Sequence, residues 1–453
     1  GPKVRWAWPG GKSTAGRDLP DPTRLRPLSI PLAVSGGSPT AMAFLREQLD
    51  GTGIVPLCSG GNGAADPRMA QARIEPGGTV TIPLMTGDMD ISALGTVTAV
   101  INDRVLAFGH PMFGEGPVNL PMAVGIVHTF IPSLDSSFKM GSAGPVIGAI
   151  RRDENSSILG VFGQKPAMTP VTVRVTDWTG GPTRQYRYEV ADEWFFGPRM
   201  AAVAALSSAE SEHGSPRDNT LSYSGTIVFR GLPPYTFSGV ASGAYAGYDL
   251  AVRILRPVDA MLNNSWGKGF VESIDLDIRT INENREARVE RARLEKSTLL
   301  PAEPAVIDLT LERHKKPRLD KTIKVDLPAD LPDGTYQLSL LDAESYRSLM
   351  TSHDPRTFAP ENMREMVAAF NKLAGPRGDH LYVVLTLPRG GVATRDQRLP
   401  ALPGSRAMIL RQAERDSLRP FVEDVVWPVP MTDMVVSGSE SFSITIDRNK
   451  DKK

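Results

Sequence analysis

The stretch Gly95-Thr96-Val97-Thr98-Ala99-Val100-Ile101-Asn102-Asp103-Arg104-Val105-Leu106-Ala107-Phe108-Gly109-His110-Pro111 decides how the chain is read. Gly95–Ile101 and Arg104–Phe108 are strand candidates, and Asn102-Asp103 between them is a tight turn. His110 falls at the end of the second strand. The glycine before it lets backbone or ligand come close, and the proline after it fixes the exit direction. A histidine held at a strand end on a β scaffold is well placed for general-base work. The structural alternative is a turn histidine hydrogen-bonded to backbone.

The β signal continues outward, from about residue 72 to 250. Thr79–Leu84 and Ser222–Phe229 are strand candidates, and Val171, Val173 and Val175 alternate with polar residues, as do Tyr186, Tyr188 and Val190. Trp194 to Ser207 is the exception, an Ala-rich stretch that predicts a helix. Toward the N-terminus, Leu28–Val34 reads as a short strand. Ser38 then suits an N-cap, with Pro39 at the first helical position of a helix over Thr40–Leu49 that Gly51 and Gly53 end. Residues 1–27 read as an extended arm, and residues 58–67 as a Gly-rich loop. Gly10-Gly11-Lys12-Ser13 lacks the earlier glycine and the preceding strand of a phosphate loop.

Toward the C-terminus, Ile274, Leu276 and Ile278 alternate with Asp275 and Asp277 as a strand with one wet face. Asn282–Lys296 fits either a solvated helix or a strand using Ala287, Val289, Ala292 and Leu294 around a bulge. Val306–Leu311, Thr322–Leu327 and Gly334–Leu341, separated by turn signals, predict a small β-sandwich. Met363, Met366, Val367, Phe370 and Leu373 share one face of a helix over Asn362–Leu373, and Leu381–Leu387 is a strand.

Composition narrows the function classes. The 453 residues balance 51 Lys+Arg against 51 Asp+Glu, which argues against nucleic-acid binding held by charge. One cysteine, Cys58, excludes an intrachain disulfide and a Cys-based zinc site. High Gly (42) and Pro (38) fit a turn-rich, mainly β protein. No apolar run reaches the ~18 residues that a membrane-spanning helix needs. The opening Gly1-Pro2 suggests a processed terminus.

Four spaced pieces then agree in order: Gly95-Thr96-Val97-Thr98 with Ala107-Phe108-Gly109-His110, Ser136-Ser137-Phe138-Lys139-Met140-Gly141, Ile147-Gly148, and Gly160-Val161-Phe162-Gly163. Together they resemble the SpoIVB-type serine peptidase family. The resemblance covers about residues 70–170, and more loosely the whole chain through the helix after Ser38 and Leu331-Pro332-Asp333-Gly334-Thr335-Tyr336. It implies a chymotrypsin-like double β-barrel core, a few helices, and His110 at the position of the general base. It further implies an exported protein of the bacterial envelope, with a polypeptide substrate or protein partner and no cofactor.

The family's nucleophile is a serine in a GMSGSP-like motif, where glycines let backbone N–H groups form an oxyanion hole. Two serines here come nearest. Ser38 lies in Ser35-Gly36-Gly37-Ser38-Pro39 but is already explained as a helix cap. Ser142 lies in Gly141-Ser142-Ala143-Gly144-Pro145 and follows His110, with a plain loop serine as the alternative. In long homologues the motif lies N-terminal to the His-bearing part. The expectation is therefore a nucleophile upstream of residue 1, reached by the chain's own missing N-terminal segment, with self-cleavage as one route. A non-catalytic envelope scaffold on the same fold, binding a peptide strand by edge addition, is the alternative. A metal hydrolase using His110 and His128 is a third reading. Asp88 and Asp90 could hold a cation but also suit a solvated turn. The expected organisation is an arm and helix at 1–70, a peptidase-like barrel region at 71–280, a sandwich-like region at 281–350 and an α+β extension at 351–453.

Overall fold

The computed structural model describes residues 30–58, 67–132, 138–177, 180–211, 218–393, 398–400 and 419–448. The expected N-terminal arm, the Gly10–Ser13 string and Ser136-Ser137 lie outside them. The chain is mainly β.

The first part carries thirteen strands. β1 (Ile30–Ser35) is followed by α1 (Pro39–Gln48) and β2 (Ile54–Cys58). Then come β3 (Thr79–Gly87), β4 (Asp90–Ile101), β5 (Arg104–Ala107), β6 (Gly116–Ile131), β7 (Phe138–Glu154) and β8 (Ser157–Phe162). Next are β9 (Met168–Asp177), β10 (Arg184–Ala191), α2 (Phe196–Glu210), β11 (Thr220–Phe229), β12 (Tyr235–Ser242), α3 (Ala246–Leu262) and β13 (Val271–Ile281).

Six of these strands close on themselves. β3 pairs with β6, β6 with β7, β7 with β8, β8 with β5, β5 with β4, and β4 again with β3, every pair antiparallel. Closure leaves this ring without free edges. Ile82, Val97, Val105, Leu120, Met122, Ile150 and Ile158 are buried in it. Gly148 on β7 is forced by a neighbour: a Cβ there would stand 2.2 Å from the Val161 carbonyl oxygen.

The other strands extend the ring as an open sheet. β10 continues from β3, followed by β9, β13, β11 and β12, while β1 and β2 continue from β4. Among the described residues only one ring closes. α2 packs against this sheet between α1 and α3. It is buried almost throughout, which its Ala-rich sequence permits because small side chains let neighbours approach from every side. The predicted helix start at Trp194 moves to Phe196, and Trp194 itself is 44% exposed.

A second hydrophobic core begins at Ala287. One of its sheets holds β14 (Glu286–Leu294), β16 (Pro304–Arg313), β17 (Lys316–Asp326) and β22 (Val435–Ser437). The other holds β15 (Thr298–Leu299), β18 (Gly334–Leu341), β19 (His380–Ala393), β20 (Arg398–Pro400), β21 (Arg419–Pro430) and β23 (Glu440–Ile446). Side chains of both sheets share this core, from Ala287 to Ile446, so the sandwich takes strands from both sides of residue 350. The ambiguous segment 282–296 is the bulged strand: β14 shifts register against β16 between Val289 and Arg291. α4 (Ala343–His353) and α5 (Met363–Ala374) intervene, each capped by an Asx side chain, Asp342 and Asn362. Met366, Val367 and Ala374 of α5 join the first core, so α5 ties the two parts together.

Candidate active site

β5 ends at Ala107, and the backbone then turns sharply. Phe108 and Gly109 both have φ of +74°. For a bulky residue such as Phe108 this left-handed conformation is strained, and strain of this kind persists only where surroundings hold it. They do so here. The Phe108 N–H donates to the Thr96 carbonyl (2.9 Å), and the Phe108 ring lies directly on Gly95. This accounts for the glycine that opens the stretch from Gly95 to Pro111.

His110 follows, exposed, with its ring 5.6 Å from that of Phe108. Its Nδ1 lies 2.8 Å from the Pro111 carbonyl oxygen. A carbonyl only accepts, so Nδ1 carries the proton and Nε2 presents its lone pair. That is the tautomer a general base requires. Nε2 has no hydrogen-bond partner among the described residues.

The loop beyond is fixed by one side chain. Asp153, 1% exposed, accepts the N–H groups of Met112 (2.7 Å), Phe113 (2.6 Å) and Gly114 (2.9 Å). Three successive amide donors satisfy a carboxylate that burial would otherwise penalise. They also form an anion-binding concavity. Asp153 fills it, so these donors are not free to serve as an oxyanion hole.

The loop rests on the entrance to α2. Phe113 packs on Phe196 (4.9 Å between rings), and the Trp194 indole N–H donates to Glu115 at 2.5 Å. Trp194-Phe195-Phe196 is therefore the seat of the His110 loop. Glu193 beside it accepts the N–H groups of Phe195 (2.9 Å) and Phe196 (2.6 Å). Burial nevertheless pushes its carboxyl up to about 7, with Glu115 adding repulsion and Arg199 opposing it. A carboxyl raised on folding favours the protonated folded state. Its contribution to stability is complete below the ordinary carboxylate range and fades as pH rises from about 4.5 through about 7. Melting curves from pH 5 to 8 are expected to show the wild type losing about 1–2 kcal/mol more than Glu193→Gln, after discounting for partial exposure. Parallel profiles for the two proteins would reject this.

The two candidate serines lie elsewhere. Ser38 is the N-cap of α1: its Oγ accepts the Ala41 N–H (3.1 Å) and donates to Glu210 (2.8 Å). Ser142 is brought to a histidine, but not to His110. Its Oγ lies 2.8 Å from Nε2 of His128 on the neighbouring strand β6. The polarity of this pair is set by Arg68, whose guanidinium is 3.1 Å from His128 Nδ1. A guanidinium only donates, so Nδ1 accepts and the proton of neutral His128 sits on Nε2. His128 then donates to Ser142 rather than accepting from it, the reverse of an activated nucleophile.

Asp88 accepts the Arg187 N–H (2.7 Å), so it closes a turn between strands. No group of three or more His, Cys, Asp or Glu among the described residues is arranged to hold a metal ion. No helix among them is long and apolar enough to cross a membrane. No protein-family model, curated protein or solved structure matches the chain.

Sequence reading missed Asp153, which holds the loop that follows His110, and Arg68, which sets the polarity of His128. Asp153 stands in the charged run Arg151-Arg152-Asp153-Glu154, whose composition gives no local sign of a buried carboxylate. Its distance from Met112 in sequence hides the contact.

Proposed function

We propose that this chain is the His-bearing part of a SpoIVB-type serine peptidase of the cell envelope. His110 would act as general base toward a serine hydroxyl supplied from outside the described residues. The observation that carries this reading is the His110 tautomer: Nδ1–H is anchored on the Pro111 carbonyl and Nε2 is left open at the surface. In this reading the closed six-stranded ring corresponds to one barrel of the chymotrypsin-like pair. The open sheet from β10 to β12 stands in place of the other. The substrate is a polypeptide, and no cofactor takes part. The test is labelling of the full-length protein by a serine-reactive phosphonate. The wild type is expected to label, and His110→Gln to lose the label while keeping its melting temperature. No labelling, or labelling indifferent to His110, would overturn the proposal.

A non-catalytic scaffold is the second reading. It is favoured by the filling of the amide concavity by Asp153 and by the reversed polarity of the His128–Ser142 pair. Under this reading, a protein partner co-purifying with the full-length chain remains bound after His110→Gln, and the phosphonate labels neither protein.

A further inference from the structure

Away from His110, α3, α4 and α5 enclose a cavity of about 300 Å³ floored by Tyr235 of β12. That volume is at the lower end of the range for small-molecule sites. α3 presents Asp249, Val252, Arg253, Arg256 and Pro257 to it, and α4 presents Glu344, Arg347, Ser348 and Thr351. Each set follows the three- and four-residue spacing of a single helix face. α5 closes the cavity with Phe370, Leu373 and Ala374. One part of the wall is therefore apolar and another strongly basic.

We propose that this cavity binds an organic carboxylate that carries an apolar group. Three arginines face two carboxylates, which leaves one positive charge in excess. Neither carboxylate is free to cancel it. Asp249 accepts the Tyr223 hydroxyl and stands 3.9 Å from Arg253, beyond hydrogen-bond reach. Glu344 pairs with Arg347 at 2.9 Å, and its side chain is 80% exposed, at the rim.

Two of the arginines are also held in place. Arg347, 15% exposed, donates to the carbonyls of Leu373 (3.0 Å) and Pro376 (2.6 Å) at the end of α5. The Arg253 side chain is 13% exposed and faces the Tyr223 hydroxyl. Arg256, three residues on, has neither ion pair nor hydrogen bond among the described residues. Burial pushes the Tyr235 hydroxyl up to about 12, and Arg253 and Arg347 both oppose the shift, so both fields reach the cavity floor. A guanidinium fork matches a carboxylate in two parallel hydrogen bonds. A single negative charge suits the single excess positive one. Val252, Pro257, Phe370 and Leu373 provide the surface for an apolar body, which inorganic phosphate lacks.

The test is calorimetric titration of the folded chain with 3-phenylpropionate, 3-phenylpropionamide and inorganic phosphate. The acid is expected to bind, and the uncharged amide and phosphate each about tenfold or more weaker, as the loss of a charged hydrogen bond or of the apolar contact implies. Arg256→Gln, at an exposed position outside the core, should weaken the acid about tenfold with the melting temperature unchanged. Thr351→Trp, which fills the cavity without altering its charge, should abolish binding. The proposal is overturned if the acid does not bind, if amide or phosphate binds as tightly, or if either variant binds like the wild type.

Discussion

Asp153→Ala is expected to cost roughly 3–5 kcal/mol, the largest loss from any single polar side chain of the ring. The carboxylate is buried and accepts three consecutive amide N–H groups, from Met112, Phe113 and Gly114. Alanine leaves all three donors without that partner, and each buried orphan costs about 1–3 kcal/mol. Partial access of water to Phe113 and Gly114 keeps the sum below the maximum. Asp153→Asn is the informative companion. Its amide keeps one acceptor oxygen but turns an NH₂ toward the N–H groups, so an intermediate loss of about 2 kcal/mol is expected. Urea denaturation with an unchanged m-value measures both. The second readout is local. With the loop released, the His110 ring nitrogens should lose the single tautomer that the Pro111 carbonyl selects, and ¹⁵N shifts report this directly. A loss under about 1 kcal/mol for the alanine variant would show that the loop is held by other contacts.

The contrast between Asp153 and its sequence neighbourhood explains what could be read early. Patterns confined to one element were legible. Ser38-Pro39 capped α1 as its residue types require, and Asn102-Asp103 closed the hairpin between β4 and β5, with Asn102 at φ of +56°. Alternation at Val171, Val173 and Val175 placed those side chains in the core. The helix α3 was missed although Leu250, Ile254, Val258 and Met261 are buried at helical spacing, because Gly247 and the internal Pro257 interrupt the propensity signal. The long strands β6 and β7 were missed for a related reason. Their glycines and prolines read as turns, whereas the ring uses Gly125, Gly141, Gly144 and Gly148 where a neighbouring backbone or side chain approaches closely. The site divides in the same way. His110 at a strand end, flanked by Gly and Pro, was visible locally. Its hold on the Pro111 carbonyl is a contact with the next residue, whereas the carboxylate of Asp153 comes from about forty residues away and the assignment of Ser142 to His128 depends on the register of the β6–β7 pair, which no local residue pattern encodes.

Gly95→Ala is expected to destabilise by about 3 kcal/mol, far above the usual fraction of a kcal/mol for a glycine-to-alanine change in a strand. A Cβ at residue 95 would stand 1.9 Å from ring carbons of Phe108. The ring must leave, and it has little freedom to do so. Phe108 sits at a positive φ, its N–H is bonded to Thr96, and the next two residues are Gly109 and the anchored His110. Moving the ring therefore means moving the turn that aims His110. A double-mutant cycle separates this from a general cost of the extra methyl. Phe108→Gly alone removes an aromatic contact but relieves the left-handed strain, so its net cost should be small, about 1 kcal/mol. In the Phe108→Gly background, Gly95→Ala meets no ring and should be nearly neutral. The coupling energy is then about 2–3 kcal/mol, at the upper end for residues in contact. Additive costs would mean that the ring escapes without strain. Strong coupling, together with a changed His110 tautomer in Gly95→Ala alone, would mean that the glycine opening this hairpin positions the histidine that ends it.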